Sequence, residues 1–583
     1  MNTLKIITED REYLTWNVLN VYSLEEIKVN INPFEEKLFN HDHFEMCDDN
    51  IKLIHSSLRS TINIPGVLLL VGNKTYGKTK NKNLYKCVPD DYRIPSFLIP
   101  YEIKNMGFSK VFKNIYISFS FVHWDDKHPI GKIDQVIGDV DVLDNFYEYQ
   151  LYCKSLNASI QKFHKATTNA IKKHVNSHDS IFETIKKNYP EVEVRTNPKE
   201  WYIFSIDPIN SVDFDDAFSI KPLTSETNLI SIYISNVSML LDVLKLWDSF
   251  SQRVSTIYLP DKKRPMLPTM LSDCLCSLQE GKTRIAFVMD VTITNNKIEK
   301  VTYTNACIEV SKNYRYEESS LLKNHHYIIL YSIIKDYSLT EPYGNPLKDS
   351  HDLVSYLMIL MNHYVAKKLK DNNCGIFRCN VLKNDTNDVD KDISKDKSDS
   401  EPVPDTVTNF IKIWTSSASQ YTTFDNISSN DTSHYFLKLD AYVHITSPIR
   451  RLVDLLNMII FQKNVTMTKL SDDAIIFYNY WCDKIDYINI TGRAIRKVQV
   501  DCSLLDHCFN NPYVLENIYS GYFFDKLEKS DSLFQYMVYI PEIKMTSRII
   551  CRDSYRNYEM KSIKLYVFKN ENKYKKKIRI HVL

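Results

Sequence analysis

Glycine is scarce in this chain, 11 among 583 residues, while tyrosine, asparagine, lysine and isoleucine abound, a bias that says little about function. No apolar run approaches the roughly 18 residues that a bilayer requires, so no membrane partner is expected. The opening MNTLKIITED has no apolar signal-peptide core. That points to an intracellular protein, cytoplasmic with the nucleus also open. The 12 cysteines never form a CxxC pair, and the nearest two, Cys274 and Cys276, are separated by one residue. Reduced thiols are therefore expected rather than a disulfide framework or a zinc site. Histidines are dispersed too: HDH at 42–44 and HH at 325–326 read as isolated surface residues, not ligands. YGKT at 76–79 lacks the preceding glycine of a phosphate-binding loop.

What is present is length and pattern. At 583 residues, with 44% hydrophobic and 25% charged residues, the chain is an ordinary globular one of three to five domains. Short runs rich in Val, Ile, Tyr and Phe fill 60–150, as small β-barrels require. The stretch 155–174 has helical spacing and reads as a connector. Strands and helices mix from about 200 to 515, interrupted at 383–405 by an Asp-, Lys- and Ser-rich stretch expected to be disordered. Strand-like runs return after 515. The net charge of +1 decides nothing, but residues 551–583 carry ten Lys/Arg against three acids, interleaved with aromatics. Such a segment, including Lys575, Lys576 and Lys577, suits single-stranded nucleic acid; a solvated basic tail suits it equally.

The stretch FSIDPINSVDFDDAF (204–218) gathers Asp207, Asp213, Asp215 and Asp216 with no basic residue among them. Like charges packed this closely repel unless solvent or a cation intervenes. WYIFSID reads as a strand that Asp207 closes, and Pro208 turns the chain back. Asp213 and Asp215, two apart, would share a strand face, with Asp216 at a bend. An all-oxygen set suits Mg²⁺ or Mn²⁺, whereas an EF-hand would need a glycine and a terminal glutamate that are missing. A solvated acidic loop is the competing reading, and Phe214, Ala217 and Phe218 speak against it by burying the cluster. In TSPIRRLVDLLNMII, Ser447 and Pro448 read as a helix start, placing Arg450 and Arg451 in the first turn. Cations are disfavoured there, so phosphate binding or a structural ion pair must hold them. Tyr258, before the prolines at 260, 265 and 268, is placed to stack on a base.

These segments, in this order, resemble the ribonuclease II (RNB) exoribonucleases. IDPINSVDFDDA matches that family's aspartate motif, YLPD…PMLP…LS…LCSL the next, YEE (316–318) another, and TSPIRR…D (446–454) the last. RIPSFLIP…HPIGKIDQVIGDV is similar to a cold-shock barrel of the family, and GYFFDKL…FQYMVYIPEI to its closing OB barrel. The resemblance implies an α+β multidomain chain: a central mixed α/β RNB catalytic domain flanked by small β-barrel OB and cold-shock domains. The implied domains are barrels at 1–88 and 89–155, a helical connector at 156–195, the RNB domain at 196–515 and a barrel at 516–583. It resembles the exosome-type branch without an N-terminal endonuclease domain.

The resemblance implies a monomeric, processive 3′-to-5′ hydrolysis of single-stranded RNA to nucleoside 5′-monophosphates with Mg²⁺, Mn²⁺ being the alternative. Asp207, Asp213 and Asp216 correspond to metal ligands, Asp215 to the residue completing the metal–water site, and Arg450 to the arginine on the scissile phosphate. Tyr258 and Tyr316 correspond to aromatics that hold the 3′ end, with Arg451 beside them on RNA. Asn236, Met239 and Tyr356 depart from the family pattern and bear on how the terminal nucleotide is held. The alternative of another class is a catalytically impaired RNA-binding regulator, which would have no need to keep four mutually repelling aspartates.

Overall fold

The computed structural model describes residues 3–583 apart from 48–49, 80–81, 104–111, 175–178, 341–345, 380–402, 416–418, 428–431, 435–436, 466–467, 530–532 and 571–573. Most of the stretch 383–405, expected to be disordered, lies outside the described residues; its last residue, Asp405, opens the helix Asp405–Thr415.

The N-terminal sheet has four strands, in the order Trp16–Asn20, Leu4–Thr8, His43–Cys47, Asn50–His55. In LKIIT the period-two pattern buries Leu4, Ile6 and Thr8. A second sheet holds six strands, with Ile64–Leu68 pairing with both Ile115–His123 and Lys82–Pro89, which closes the sheet on itself. At that closure Gly66 has no room for a side chain, since a Cβ would lie 2.8 Å from Cys87 Sγ. The boundary expected at 88/89 therefore falls inside this sheet. Lys82–Pro89 pairs with Phe97–Tyr101 from Asn83 opposite Tyr101 to Cys87 opposite Phe97, so the DDYRIP stretch is a hairpin turn rather than a linker.

Leu143–Cys153, which strand-favouring tyrosines assigned to a barrel, is a helix that buries Phe146, Tyr147, Tyr149, Leu151 and Tyr152. Tertiary burial overrides propensity there. The expected connector is realised as Gln161–Lys173 and Asp179–Asn188.

The central sheet has seven strands: Glu193–Arg195, Lys297–Glu309, Thr283–Thr294, Thr227–Ser235, Asp216–Pro222, Phe204–Asp207 and Lys312–Arg315. Only its two outermost pairings are parallel. The helices Ser350–Asp371 and Leu452–Asn464 belong to the same core, the latter buried over most of its length. Ile485–Asn510, 26 residues long, leads into the last sheet. That sheet has the order Met545–Cys551, Leu533–Ile540, Ile518–Lys529, Met560–Asn570, Lys575–Val582, over a core of Phe523, Tyr536, Val538, Ile563 and Leu565. The architecture is thus a mixed α/β centre between small β units. Among the described residues no helix is long and apolar enough to cross a membrane.

Candidate active site

Asp207 ends its strand opposite Arg315 of the parallel neighbour, and Tyr316 N–H donates to its carbonyl at 3.1 Å. After Pro208 the chain loops out, and the next strand begins only at Asp216. Asp213 and Asp215 therefore sit on a loop, not on one face of a strand as alternation suggested. Ser277 shapes that loop. Its hydroxyl donates to the Val212 carbonyl at 2.8 Å and accepts from Phe214 N–H at 3.0 Å, straddling Asp213. Ser235 N–H donates to the Asp215 carbonyl at 2.8 Å, tying the loop's end to a central strand.

Asp215 and Asp216 are buried, at 2% and 8% exposure. Asp215 Oδ1 accepts the Ile449 N–H at 2.9 Å. Its Oδ2 lies 3.1 Å from Arg450 Nε, close enough for charge attraction but without an aligned hydrogen bond. Asp207 Oδ2 is buried and makes no hydrogen bond, though the Ser205 hydroxyl two residues back eases the charge on Asp207. Burial pushes the Asp215 carboxyl up to about 8, against the pull of Arg450 and the Ile449 amide. Burial pushes Asp207 and Asp216 up as well, and neighbouring carboxylates add to it: Asp215 on Asp207, Asp207 on Asp216. Arg450 is the cation that opposes the rise at all three. One guanidinium facing two buried carboxyls and a part-buried third leaves a site that holds charge only with help.

A divalent cation fits that description. The donors are hard oxygens, and one of them, Asp207 Oδ2, is a buried acceptor that makes no hydrogen bond. Among the described residues no three ligating side chains are already gathered as a metal site, and Asp213 is engaged elsewhere. Its Oδ1 pairs with Lys263 Nζ at 3.2 Å, and its Oδ2 accepts from the Tyr258 hydroxyl at 3.3 Å. Tyr258 is exposed at 40%, so its ring is open to a base on one side. Tyr316 is half-covered. Its ring stacks on His351 at 3.6 Å between centroids and 10° between planes. Burial, with Asp216 and Asp207 nearby, pushes its phenol up. Glu317 holds Tyr316 in place by accepting from Ser350 N–H at 2.8 Å and Ser350 Oγ at 2.6 Å. Neither Lys263 nor His351 was singled out in the sequence. The cross-strand register that aims Lys263 is not a local signal, and His351 lies far along the chain from its partner.

The arginine pair differs from expectation. Ser447–Arg450 form a turn, Arg451 is extended (φ −141°, ψ 122°), and the helix starts at Leu452. Backbone bonds to the neighbouring segment hold this geometry: Thr256 N–H to the Arg450 carbonyl at 2.9 Å, and Leu452 N–H to the Val254 carbonyl at 2.9 Å. The macrodipole argument therefore does not apply to either arginine. Arg450 is half-exposed beside Asp215, whereas Arg451 pairs with the fully buried Asp454 through Nε and through Nη2 at 2.8 Å. Asp454 Oδ1 also accepts the Ser447 N–H at 2.8 Å. Arg451 is a holding group for the turn that presents Arg450, not a free hand for RNA. Asp454→Asn is expected to cost roughly 2–4 kcal/mol, because it strands a guanidinium and weakens the turn. A thermal melt checks this, and an unchanged midpoint would remove the holding role.

Of the C-terminal lysines, Lys576 reaches back to donate to the Val140 carbonyl at 3.3 Å and lies 5.7 Å over the Phe509 ring. It joins the last sheet to the second sheet's exit instead of facing outward. Lys577 is exposed, and Lys575 lies on the same strand, Lys575–Val582. The three departures from the family pattern are all interior. Asn236 caps the helix Val237–Val243 and donates to Asn305 Oδ1 at 2.8 Å, Met239 is fully buried, and Tyr356 packs edge-on to Tyr337. Their bearing is on packing.

Fold and site together define a multidomain α/β protein with a buried acidic centre at the end of its main sheet. The RNB domain profile matches residues 195–326 and 327–466, which contain all four aspartates, Tyr258, Tyr316 and both arginines. Residues 195–466 thus match an RNB domain. Ribonuclease R of Ureaplasma parvum is 27% identical over 329 residues, 44% of this chain and 44% of the relative. DIS3-like exonuclease 2 of Schizosaccharomyces pombe is 22% identical over 453 residues, 63% of this chain and 48% of the relative. The chain spans under half the length of these curated relatives. Among solved structures, Mycoplasma genitalium RNase R in complex with ribose methylated single-stranded RNA has a TM-score of 0.64 at 14% identity, covering 99% of this chain and all of that one. Yeast Ssd1, a pseudonuclease, has a TM-score of 0.56 at 13% identity, covering 94% and 78%. At these identities the likeness establishes the fold.

Proposed function

We propose that this chain hydrolyses single-stranded RNA from its 3′ end, processively and as a single chain, to nucleoside 5′-monophosphates. The observation that carries the reading is the buried pair Asp215 and Asp216, with the part-buried Asp207, facing the Arg450 guanidinium, the buried Asp207 Oδ2 making no hydrogen bond. Such an arrangement is costly for a fold to keep and has an evident use at a phosphodiester. Asp207, Asp213 and Asp216 would hold Mg²⁺ or Mn²⁺, which when bound supplies Lewis-acid polarisation of a phosphate and an activated water. Arg450, half-exposed and oriented by Asp215, binds the phosphate under attack and stabilises the charge that develops on it. Tyr258 offers an exposed ring to a base, and Tyr316, backed by His351, offers a second. The exposed Lys577, with Arg579 stacked 3.8 Å over Phe568, gives the last sheet a cationic and aromatic surface for the incoming strand. The names of the relatives support the same reading, ribonuclease R and DIS3-like exonuclease among them. The described cysteines form no disulfide with one another, which fits a reducing compartment such as the cytoplasm.

The second reading, an RNA-binding regulator, is favoured by one observation: a pseudonuclease shares this fold, so fold alone does not define chemistry. The two readings separate on products. Uniformly labelled single-stranded RNA incubated with the protein and Mg²⁺ is expected to yield nucleoside 5′-monophosphates on chromatography. A chelator should stop their release, and a 3′-terminal hairpin should slow it. Release of longer internal fragments, or none with RNA still bound, would contradict the proposal.

A further inference from the structure

Both carboxylate oxygens of Asp213 are held by one small element. The ribbon of Ile257–Tyr258 and Lys263–Arg264 is antiparallel, and its register sets Tyr258 directly opposite Lys263. These two cross-strand partners are the residues on Asp213: Lys263 Nζ at 3.2 Å from Oδ1, and the Tyr258 hydroxyl at 3.3 Å from Oδ2. Lys263 also pairs with Asp273 Oδ1 at 2.9 Å, so its ammonium is shared between two carboxylates. The base of the ribbon is anchored, since Arg264 pairs with Asp261 and with Glu148 at 2.8 Å. The Asp213 backbone is pinned from behind by Ser277. Of the parts in contact, the Tyr258 and Lys263 side chains are the ones left to move.

We propose that this ribbon couples RNA binding to metal loading: Lys263 and Tyr258 occupy Asp213 in the free protein and release it when a base engages Tyr258. The inference rests on the reading of Asp207, Asp213 and Asp216 as the cation site. An ammonium at hydrogen-bond distance from a carboxylate oxygen repels a divalent cation approaching the same carboxylate. For Asp213 to become a ligand, Lys263 must move, and Asp273 already gives it a place to go. RNA favours that shift in two ways. Stacking on the exposed Tyr258 ring competes with its bond to Asp213, and an RNA phosphate is a further anion for Lys263. Coupling of this kind is reciprocal, so the metal tightens RNA by the factor with which RNA tightens the metal.

The test is Mn²⁺ binding by calorimetry, with and without a short 2′-O-methylated oligoribonucleotide confirmed intact on a gel after each titration. In the wild-type protein the oligonucleotide should tighten Mn²⁺ by about fivefold or more. Lys263→Met should bind Mn²⁺ more tightly than wild type without RNA, and the effect of RNA should shrink towards unity. Asp273→Asn serves as the second variant should Lys263→Met melt early. With its alternative partner weakened, Lys263 leans on Asp213, and Mn²⁺ binding without RNA should weaken. Mn²⁺ affinity that is the same in wild type and both variants, and indifferent to RNA, overturns the coupling while leaving the cation site standing. If no protein binds Mn²⁺ even with RNA present, the cation-site reading fails and this inference with it.

Discussion

Asparagine in place of Asp215 is expected to cut the rate of RNA hydrolysis by about a thousandfold or more and to leave RNA affinity within about twofold. The side chain is almost wholly buried, so the change cannot be compensated by solvent. Asparagine has the same shape and can still accept the Ile449 N–H through its oxygen. What it loses is the charge that sits 3.1 Å from Arg450 Nε. Without that charge the guanidinium keeps only the Ser447 hydroxyl at 3.2 Å, and the remaining carboxyls face a net charge that has changed by one. On the proposed reading, RNA affinity rests on other groups, the Tyr258 and Tyr316 rings and the cationic surface of the last sheet. Single-turnover cleavage paired with filter binding separates the two effects. A parallel loss of binding and cleavage would instead mean that Asp215 supports the fold around the site. Arg450→Lys should also lose about a hundredfold or more in rate, since a point charge cannot reproduce the planar guanidinium fork.

The second large effect is on stability, and its sign follows from burial. An acid whose pKa is raised on folding holds its proton more tightly in the folded state. Its stabilising contribution is complete below the ordinary value of 3.8 and is lost as pH rises towards about 8 for Asp215. Asp207 and Asp216 are shifted in the same direction. In a chelator the melting temperature of the central domain should therefore fall steadily between pH 5 and pH 8, with each group contributing up to about 1.4 kcal/mol per pH unit. Millimolar Mg²⁺ should flatten the decline, because a cation that binds only the folded state stabilises it. Asp216→Asn should do the same without any metal, since burial and Asp207 oppose its charge more than Arg450 favours it. The variant is then more stable and less active, a trade expected where function keeps a strained site. Differential scanning calorimetry across that range, with and without Mg²⁺, measures both slopes. A decline that persists with Mg²⁺ present would place the titration away from the cation site.

Much of this was legible in the chain itself. The aspartates, Tyr258, Tyr316 and Arg450 announced themselves through dense, ordered motifs, and the structure brings them into electrostatic reach of one another. What the sequence hid depends on pairings between distant segments. Lys263 looks like either of the two lysines in YLPDKKRPM until the ribbon register sets it opposite Tyr258. Arg451 reads like a twin of Arg450, and only the backbone bonds to residues 254 and 256 delay the helix so that the twin turns to Asp454. The hairpin turn after Pro89 carries the same residues a linker would, so the expected domain boundary fell within a closed sheet. The tyrosines of Leu143–Cys153 favour strands locally, yet their burial around the helix decides the outcome. Asn236 and Met239 could be compared with a motif but not placed, because a motif says nothing about which side of a helix faces the core.

The central claim is that the buried aspartates make this chain a cation-dependent 3′-to-5′ exoribonuclease. Its most direct test is a gel of 5′-labelled single-stranded RNA incubated with the wild-type protein and with Asp215→Asn, in Mg²⁺ and in chelator. The expected result is a ladder that shortens from the 3′ end to a small residual product, seen only for wild type in Mg²⁺. Full-length RNA in every lane, with both proteins still binding it, would contradict the claim and leave an RNA-binding protein on a nuclease fold.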